Sequence, residues 1–123
     1  MQPSHLNSNP RSFSVQEKLR KEAMALPEVY ENICHGTMAF YIGNKMFVRL
    51  KEDGTTIALY NKERDEWIAK NGDVFFITDH YKNYPMLLVD LLSVDRKDLI
   101  DLLQTSWSIR VTKSIFASLK KNL

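Results

Sequence analysis

Glycine is scarce in this chain: four residues in 123, Gly36, Gly43, Gly54 and Gly72, each isolated at a turn-like position. A phosphate-cradling loop needs clustered glycines so that backbone amides can approach the ligand, and none is expected here. Cysteine is scarcer still. Cys34 alone excludes an internal disulfide framework and suits a reducing compartment. There is no CxxC pair and no pair of histidines at helical i, i+4 spacing. The strong zinc signals are therefore missing, and neither a metal nor another cofactor is expected. No apolar run approaches the ~20 residues of a membrane span. Met1-Gln2-Pro3-Ser4-His5 has neither the basic start nor the apolar core of a secretory leader. The expectation is a cytoplasmic protein without a membrane partner.

What is present suffices for a core. Apolar residues make up 44% and aromatics 11% of the chain, and a domain of this length buries roughly two thirds of the surface its unfolded chain exposes. The net charge is +2 and the pI about 8.7, below the value of ~9 that marks many nucleic-acid-binding domains. Distribution says more than the total. No acidic residue follows Asp101, whereas Arg110, Lys113, Lys120 and Lys121 do, and terminal lysines of this kind also complement a helix C-terminus.

Residues 1–13 are polar, with Pro3 and Pro10, and read as a flexible tail ahead of a single domain over 14–123. Ser14-Val15-Gln16-Glu17 matches a capping box. Val15, Leu19, Ala23 and Leu26 then follow at helical spacing until Pro27 stops the helix. The stretch 28–36 is open between an extended segment and an irregular lead-in. Apolar runs over 39–42 and 45–50 flank Gly43-Asn44, a tight-hairpin signal, and a third strand returns over 55–60 after Lys51-Glu52-Asp53-Gly54. Asn61 suits the N-cap of a helix over 62–70, with Trp67 and Ile68 inward and Asn71-Gly72 as a left-handed C-cap.

Two short strands, 74–77 and 86–91, bracket the polar-aromatic loop Thr78-Asp79-His80-Tyr81-Lys82-Asn83-Tyr84-Pro85. Asp95 and Asp98 open a longer helix with Leu99, Leu102, Leu103 and Trp107 on one stripe, and Ile115, Phe116 and Leu119 suggest a last short one. Strands in blocks argue for an α+β domain on an antiparallel five-stranded sheet, in the order α-β-β-β-α-β-β-α-α.

Chemistry has few places to reside. Cys34-His35 reads as a small apolar cysteine beside a surface histidine, because neighbours on an extended chain point to opposite faces. His35, His80 and Asp79 lack metal-ligand spacing. On the second strand, simple alternation puts Lys45, Phe47, Arg49 and Lys51 on one face and Met46, Val48 and Leu50 on the other. If the second face is core, the first offers cations interleaved with an aromatic ring, which suits phosphates and stacked bases. The alternative is that Phe47 is buried and the lysines solvate a sheet edge. The loop between the last two strands, with His80, Tyr81, Tyr84 and Lys82 on a rigid base, is the other place where function would sit.

Several words of sequence point further. Gly36-Thr37-Met38-Ala39-Phe40, Lys45-Met46-Phe47-Val48-Arg49-Leu50, and Phe76-Ile77-Thr78-Asp79-His80-Tyr81 with Tyr84-Pro85 together resemble the MmcQ/YjbR family of small bacterial proteins. The resemblance runs from the first helix through Trp107. It implies a compact α+β domain with two projecting hairpins in a double-wing arrangement, for which DNA binding is inferred from the fold. No catalytic set comes with it, and no enzyme is expected. The leading expectation is a nucleic-acid-binding domain in which Lys45, Arg49 and Lys51 meet phosphates, Lys82 and Lys113 flank them, and Tyr81 stacks. A protein-interaction module without nucleic acid is the second reading. A small-ligand or enzymatic site at Asp79, His80 and Tyr81 is the third, to be favoured by a deep pocket at that loop.

Overall fold

The computed structural model describes residues 10–111. Three helices and six strands follow the order α1 (Pro10–Met24), β1 (Val29–Cys34), β2 (Thr37–Ile42), β3 (Lys45–Leu50), β4 (Thr56–Tyr60), α2 (Arg64–Lys70), β5 (Phe75–Phe76), β6 (Met86–Asp90) and α3 (Arg96–Arg110), with a single 3-10 turn, Asp79–Tyr81, before β6. All strands join one antiparallel sheet in the order β1-β2-β3-β4-β6-β5. The sheet thus has six strands rather than five. The additional one is β1, which pairs with all of β2 from Val29↔Ile42 to Cys34↔Thr37. His35 (φ 53) and Gly36 (φ 80) turn this hairpin, and two positive φ values are what a two-residue turn matched to strand twist requires.

Three predicted boundaries move. α1 begins at Pro10, so Ser14 lies inside the helix and is not its cap; proline suits a first helical position because its missing N–H has no partner there. Asn61 does not cap α2 directly. Its Oδ1 accepts from the Glu63 N–H at 2.8 Å, and the helix starts at Arg64. Asn71 is extended (φ −163) rather than left-handed and turns the chain by accepting from Asp73 N–H at 3.0 Å. The opening of α3 matches expectation, with the Asp95 carboxylate accepting from Asp98 N–H at 2.8 Å. The last helix anticipated around Ile115, Phe116 and Leu119 lies outside the described residues.

The helices cover one face of the sheet. Leu19 and Ala23 of α1 and Leu99, Leu102 and Leu103 of α3 pack on Phe40, Ile42, Phe47, Val48, Leu59 and Leu87, all at most 1% exposed. Trp67 and Ile68 of α2 and Trp107 of α3 close the margin, with Trp107 Nε1 donating to Pro27 O at 3.0 Å. The opposite face carries a smaller cluster, Ala58, Tyr81, Met86 and Leu88, flanked by Tyr60 and Phe76. Among the described residues, the segment from Asp79 to Pro85 reaches over it.

A bulge in β3 decides which residues face which way. Phe40 pairs with Val48 but Tyr41 pairs with Met46, leaving Phe47 with no partner across the ladder. The extra residue puts Phe47 and Val48 on the helix side together and reverses the alternation beyond them.

Two carboxylates anchor local structure and set an acid limit. Arg20 of α1 grips Glu31 of β1 bidentately at 2.8 and 3.0 Å. That hydrogen bonding holds the Glu31 carboxyl below its usual range and raises the guanidinium further. Asp53 is partly desolvated, which works against ionisation, but bonds from Thr56 Oγ1 and from the Thr55 and Thr56 amides outweigh it and lower its pKa. Groups whose pKa falls on folding stabilise above the unfolded value and lose that contribution as pH drops through the folded one. Both side chains are therefore expected to titrate below ordinary carboxylates in carboxyl-carbon NMR, and Glu31→Gln should flatten the acid limb of stability. A Glu31 midpoint at the ordinary value would remove this account. The pair is part-exposed, so its contribution is on the order of 1 kcal/mol or less.

Candidate functional site

The bulge rearranges the cationic face expected on β3. Lys45 is exposed at the start of the strand, but Phe47 is fully buried, so the alternative in which Phe47 belongs to the core is the one that forms. Arg49 is only 8% exposed. Its Nη1 donates to Thr37 Oγ1 at 3.2 Å and Leu50 O at 3.3 Å, and its Nη2 lies 3.5 Å from Glu52. Lys51, half-buried, donates to the Tyr81 hydroxyl at 3.1 Å, sits 5.2 Å over that ring, and is 4.0 Å from Glu52. The Glu52 carboxyl is held low, first by a backbone N–H and then by Arg49. Lys45, Arg49 and Lys51 therefore form no single outward ridge. Tyr81 is 9% exposed, its ring packed inside rather than offered for stacking. Lys82 is exposed, and Lys113 lies outside the described residues.

Instead, Arg49, Lys51 and Tyr81 come together on the open face of the sheet. There the loop from Asp79 to Pro85 overhangs a cavity of about 220 Å³, walled by Met46, Tyr60, Tyr81 and Met86 with His80 and Tyr84 at its mouth. Its construction follows from strand alternation. Ala58 and Tyr60 share one face of β4, Met86 lies across from Tyr60 in the β4–β6 register, and the bulge brings Met46 and Arg49 to the same side. His80 sets its ring edge-on to Tyr81 at 4.7 Å. Asp79 and His80 are exposed in the 3-10 turn.

Three side chains not singled out by the sequence complete the site. Arg64, the first residue of α2, reaches across to the loop. Its Nη1 donates to the carbonyls of Tyr81 (2.8 Å), Met86 (3.1 Å) and Tyr84, and its Nη2 to Lys82 O (2.7 Å). Arg110, at the end of α3, sits over Tyr60 with Cζ 4.1 Å from the ring centroid and donates from Nε to Met46 O at 3.1 Å. Tyr60 is itself the third. Its position was readable from strand alternation with Ala58, whereas the reach of Arg64 spans 17 to 22 residues and leaves no local signal.

Among the described residues no group of three or more His, Cys, Asp or Glu side chains is placed to hold a metal ion, and no helix is long and apolar enough to cross a membrane. Cys34 is half-buried. The neighbouring Tyr41 phenol is pushed up by burial and by Cys34, with Tyr30 stacked on it at 5.5 Å. The site has wall, rim and overhang.

An antiparallel sheet with helices on one face and a loop-roofed hollow on the other defines an α+β domain with one open side. The YjbR family model matches residues 24–109, and the chain belongs to the YjbR family. Its relatives include uncharacterised proteins of Mycobacterium bovis, Mb2600, and Mycobacterium tuberculosis, Rv2570, each 29% identical over 80 residues. That match takes in 65% of this chain and 56% of each relative, so the chain spans about half the length of the curated relatives it matches. The crystal structure of Deinococcus radiodurans protein DR2400, a DUF419 domain, superimposes with a TM-score of 0.71 over 85% of this chain and 87% of that one at 19% identity. This is likeness of fold.

Proposed function

We propose that this chain is a non-catalytic ligand-binding domain whose site is the hollow on the open sheet face beneath the loop from Asp79 to Pro85, rather than the hairpin tips. The observation that carries this reading is the aromatic and thioether lining of that hollow, Tyr60, Tyr81, Met46 and Met86. Polar side chains, Arg49 and His80, are among its lining, and Lys51 stands beside it on the Tyr81 hydroxyl. Concave, mostly apolar walls with a few convergent polar groups are what small-molecule sites are made of.

Amide chemical-shift mapping with a panel of small aromatic fragments tests it. Shifts should cluster at Ala58, Tyr60, His80 and Met86, and Ala58→Phe, which fills the floor, should abolish them. Shifts confined to the Gly43-Asn44 hairpin, or unaffected by Ala58→Phe, would overturn the reading.

Nucleic acid is the second reading, favoured by one observation: Lys45, Lys62 and Lys82 are exposed cations. With so few phosphate contacts the salt dependence should be shallow, since each contact contributes a log–log slope of about −0.9 on duplex DNA. Fluorescence anisotropy on duplex and single-stranded oligonucleotides at low and moderate salt separates the two readings. Binding that weakens with salt and is lost in Lys45→Ala would favour nucleic acid.

A further inference from the structure

Around the hollow, charge and shape do not balance. Three cations stand at or beside it: Arg49 in its wall, Lys51 against Tyr81, and Arg110 over Tyr60. Among the described residues one carboxylate, Glu52, pairs with any of them, serving Arg49 at 3.5 Å and Lys51 at 4.0 Å; its side chain is 62% exposed. The other carboxylate of that turn, Asp53, is committed to Thr55 and Thr56. Lys51 spends one of its three ammonium donors on the Tyr81 hydroxyl. Arg110 spends Nε on Met46 O while its Cζ stands over the Tyr60 ring.

An apolar cavity with surplus positive charge at its rim selects a ligand of mixed character. At about 220 Å³ the hollow falls below the roughly 300–1,000 Å³ that encloses a drug-sized molecule, which points to a single ring system. Its walls supply the partners a flat ring uses, edges and faces of Tyr60, Tyr81 and His80, together with Met46 and Met86. Aromatic rings favour offset or edge-on neighbours, and thioethers favour ring edges.

We infer that the ligand is an aromatic anion of one ring system, its ring between Tyr60, Tyr81 and the methionines and its anionic group in the positive field that Lys51 and Arg110 set up from the two ends of β3. This rests on the binding reading above and adds the chemical class to it. Tyr84, 58% exposed and held by its carbonyl to Arg64, stands at the mouth where the bound ring would meet solvent.

The test uses the full chain and three probes matched in size: benzoate, its neutral amide benzamide, and the non-aromatic anion cyclohexanecarboxylate. Affinities come from chemical-shift titration of the Tyr60, His80 and Met86 amides. Benzoate is expected to bind at least about tenfold tighter than either of the others, with affinity falling as salt rises. In the double variant Lys51→Met/Arg110→Met, which keeps unbranched apolar side chains at both positions, benzoate should fall to the level of the amide while the amide is unchanged. Equal binding of benzoate and benzamide at these amides would overturn the charge requirement and leave the binding site standing. Equal binding of cyclohexanecarboxylate would overturn the aromatic requirement. Absence of shifts at the hollow with all three probes, in a chain whose spectrum shows it folded, would overturn this inference and the binding reading with it.

Discussion

Replacing Ser106 with alanine is expected to destabilise the fold by about 2–5 kcal/mol, from roughly 1–3 kcal/mol for each buried polar group left without a partner. The bulge at Phe47 interrupts the β3–β4 ladder, whose pairs run from Leu50↔Ile57 to Val48↔Leu59 and stop there. The next groups along, Phe47 O and Tyr60 N–H, are taken up by a helix. Ser106 of α3, fully buried, donates its hydroxyl to Phe47 O at 2.5 Å and accepts from Tyr60 N–H at 3.0 Å. One side chain therefore closes a gap in the sheet and pins α3 to it beneath the hollow. Alanine removes both bonds, and the hydroxyl volume it vacates is too small to admit a water in their place. Against a typical total of about 5–15 kcal/mol for a domain, the loss should be plain in urea unfolding. Ser108 is the control: exposed, bonded to Gln104 O one turn back, and expected to change stability by about 0.5 kcal/mol or less as alanine. If Ser106→Ala is no more destabilised than Ser108→Ala, the hydroxyl is not what bridges the interrupted ladder.

The same bulge explains how far the sequence could be read. Gly43-Asn44 between two apolar runs located the β2–β3 hairpin, and Asp95 with Asp98 located the start of α3, because each rests on chemistry within four residues. The strand β3 was also legible, but its faces were not. Phe47-Val48 is a pair of good strand formers, and nothing local says that both will turn to the same side. The alternation that put Lys45, Arg49 and Lys51 together fails at that one residue. β1 escaped for a different reason. Its inner side carries Glu31, neutralised by Arg20 from another element, while Tyr30 and Ile33 are exposed, so no apolar rhythm marks it. The loop from Thr78 to Pro85 was recognisable as a polar-aromatic segment between two strands. The hollow under it was not, since its floor and rim come from Met46, Ala58, Tyr60 and Arg110, brought in by sheet register and by the end of a helix.

Arg64 carries the second large effect, and it decides whether that hollow persists. One guanidinium gathers the carbonyls of Tyr81, Lys82, Tyr84 and Met86, a segment that apart from Tyr81 and Met86 is exposed. Bonds from a charged donor contribute about 1.5–3 kcal/mol each in isolation, but four sharing one group are not additive, and water reaches Lys82 and Tyr84. Arg64→Met is therefore expected to cost about 2–4 kcal/mol. Its sharper signature is local. Hydrogen exchange at Tyr81, Lys82 and Tyr84 should accelerate well beyond that of the β3–β4 amides, and binding at the hollow should weaken with it. Arg64→Lys should recover little, because an ammonium is a point donor and cannot span four carbonyls as a planar fork does. Lys62→Ala, an exposed cation just before the same helix, should leave both readouts unchanged. Exchange in Arg64→Met that stays at the native rate would mean the loop holds itself through Tyr81 packing alone. Faster exchange with undiminished binding would mean instead that the overhang is no part of the site.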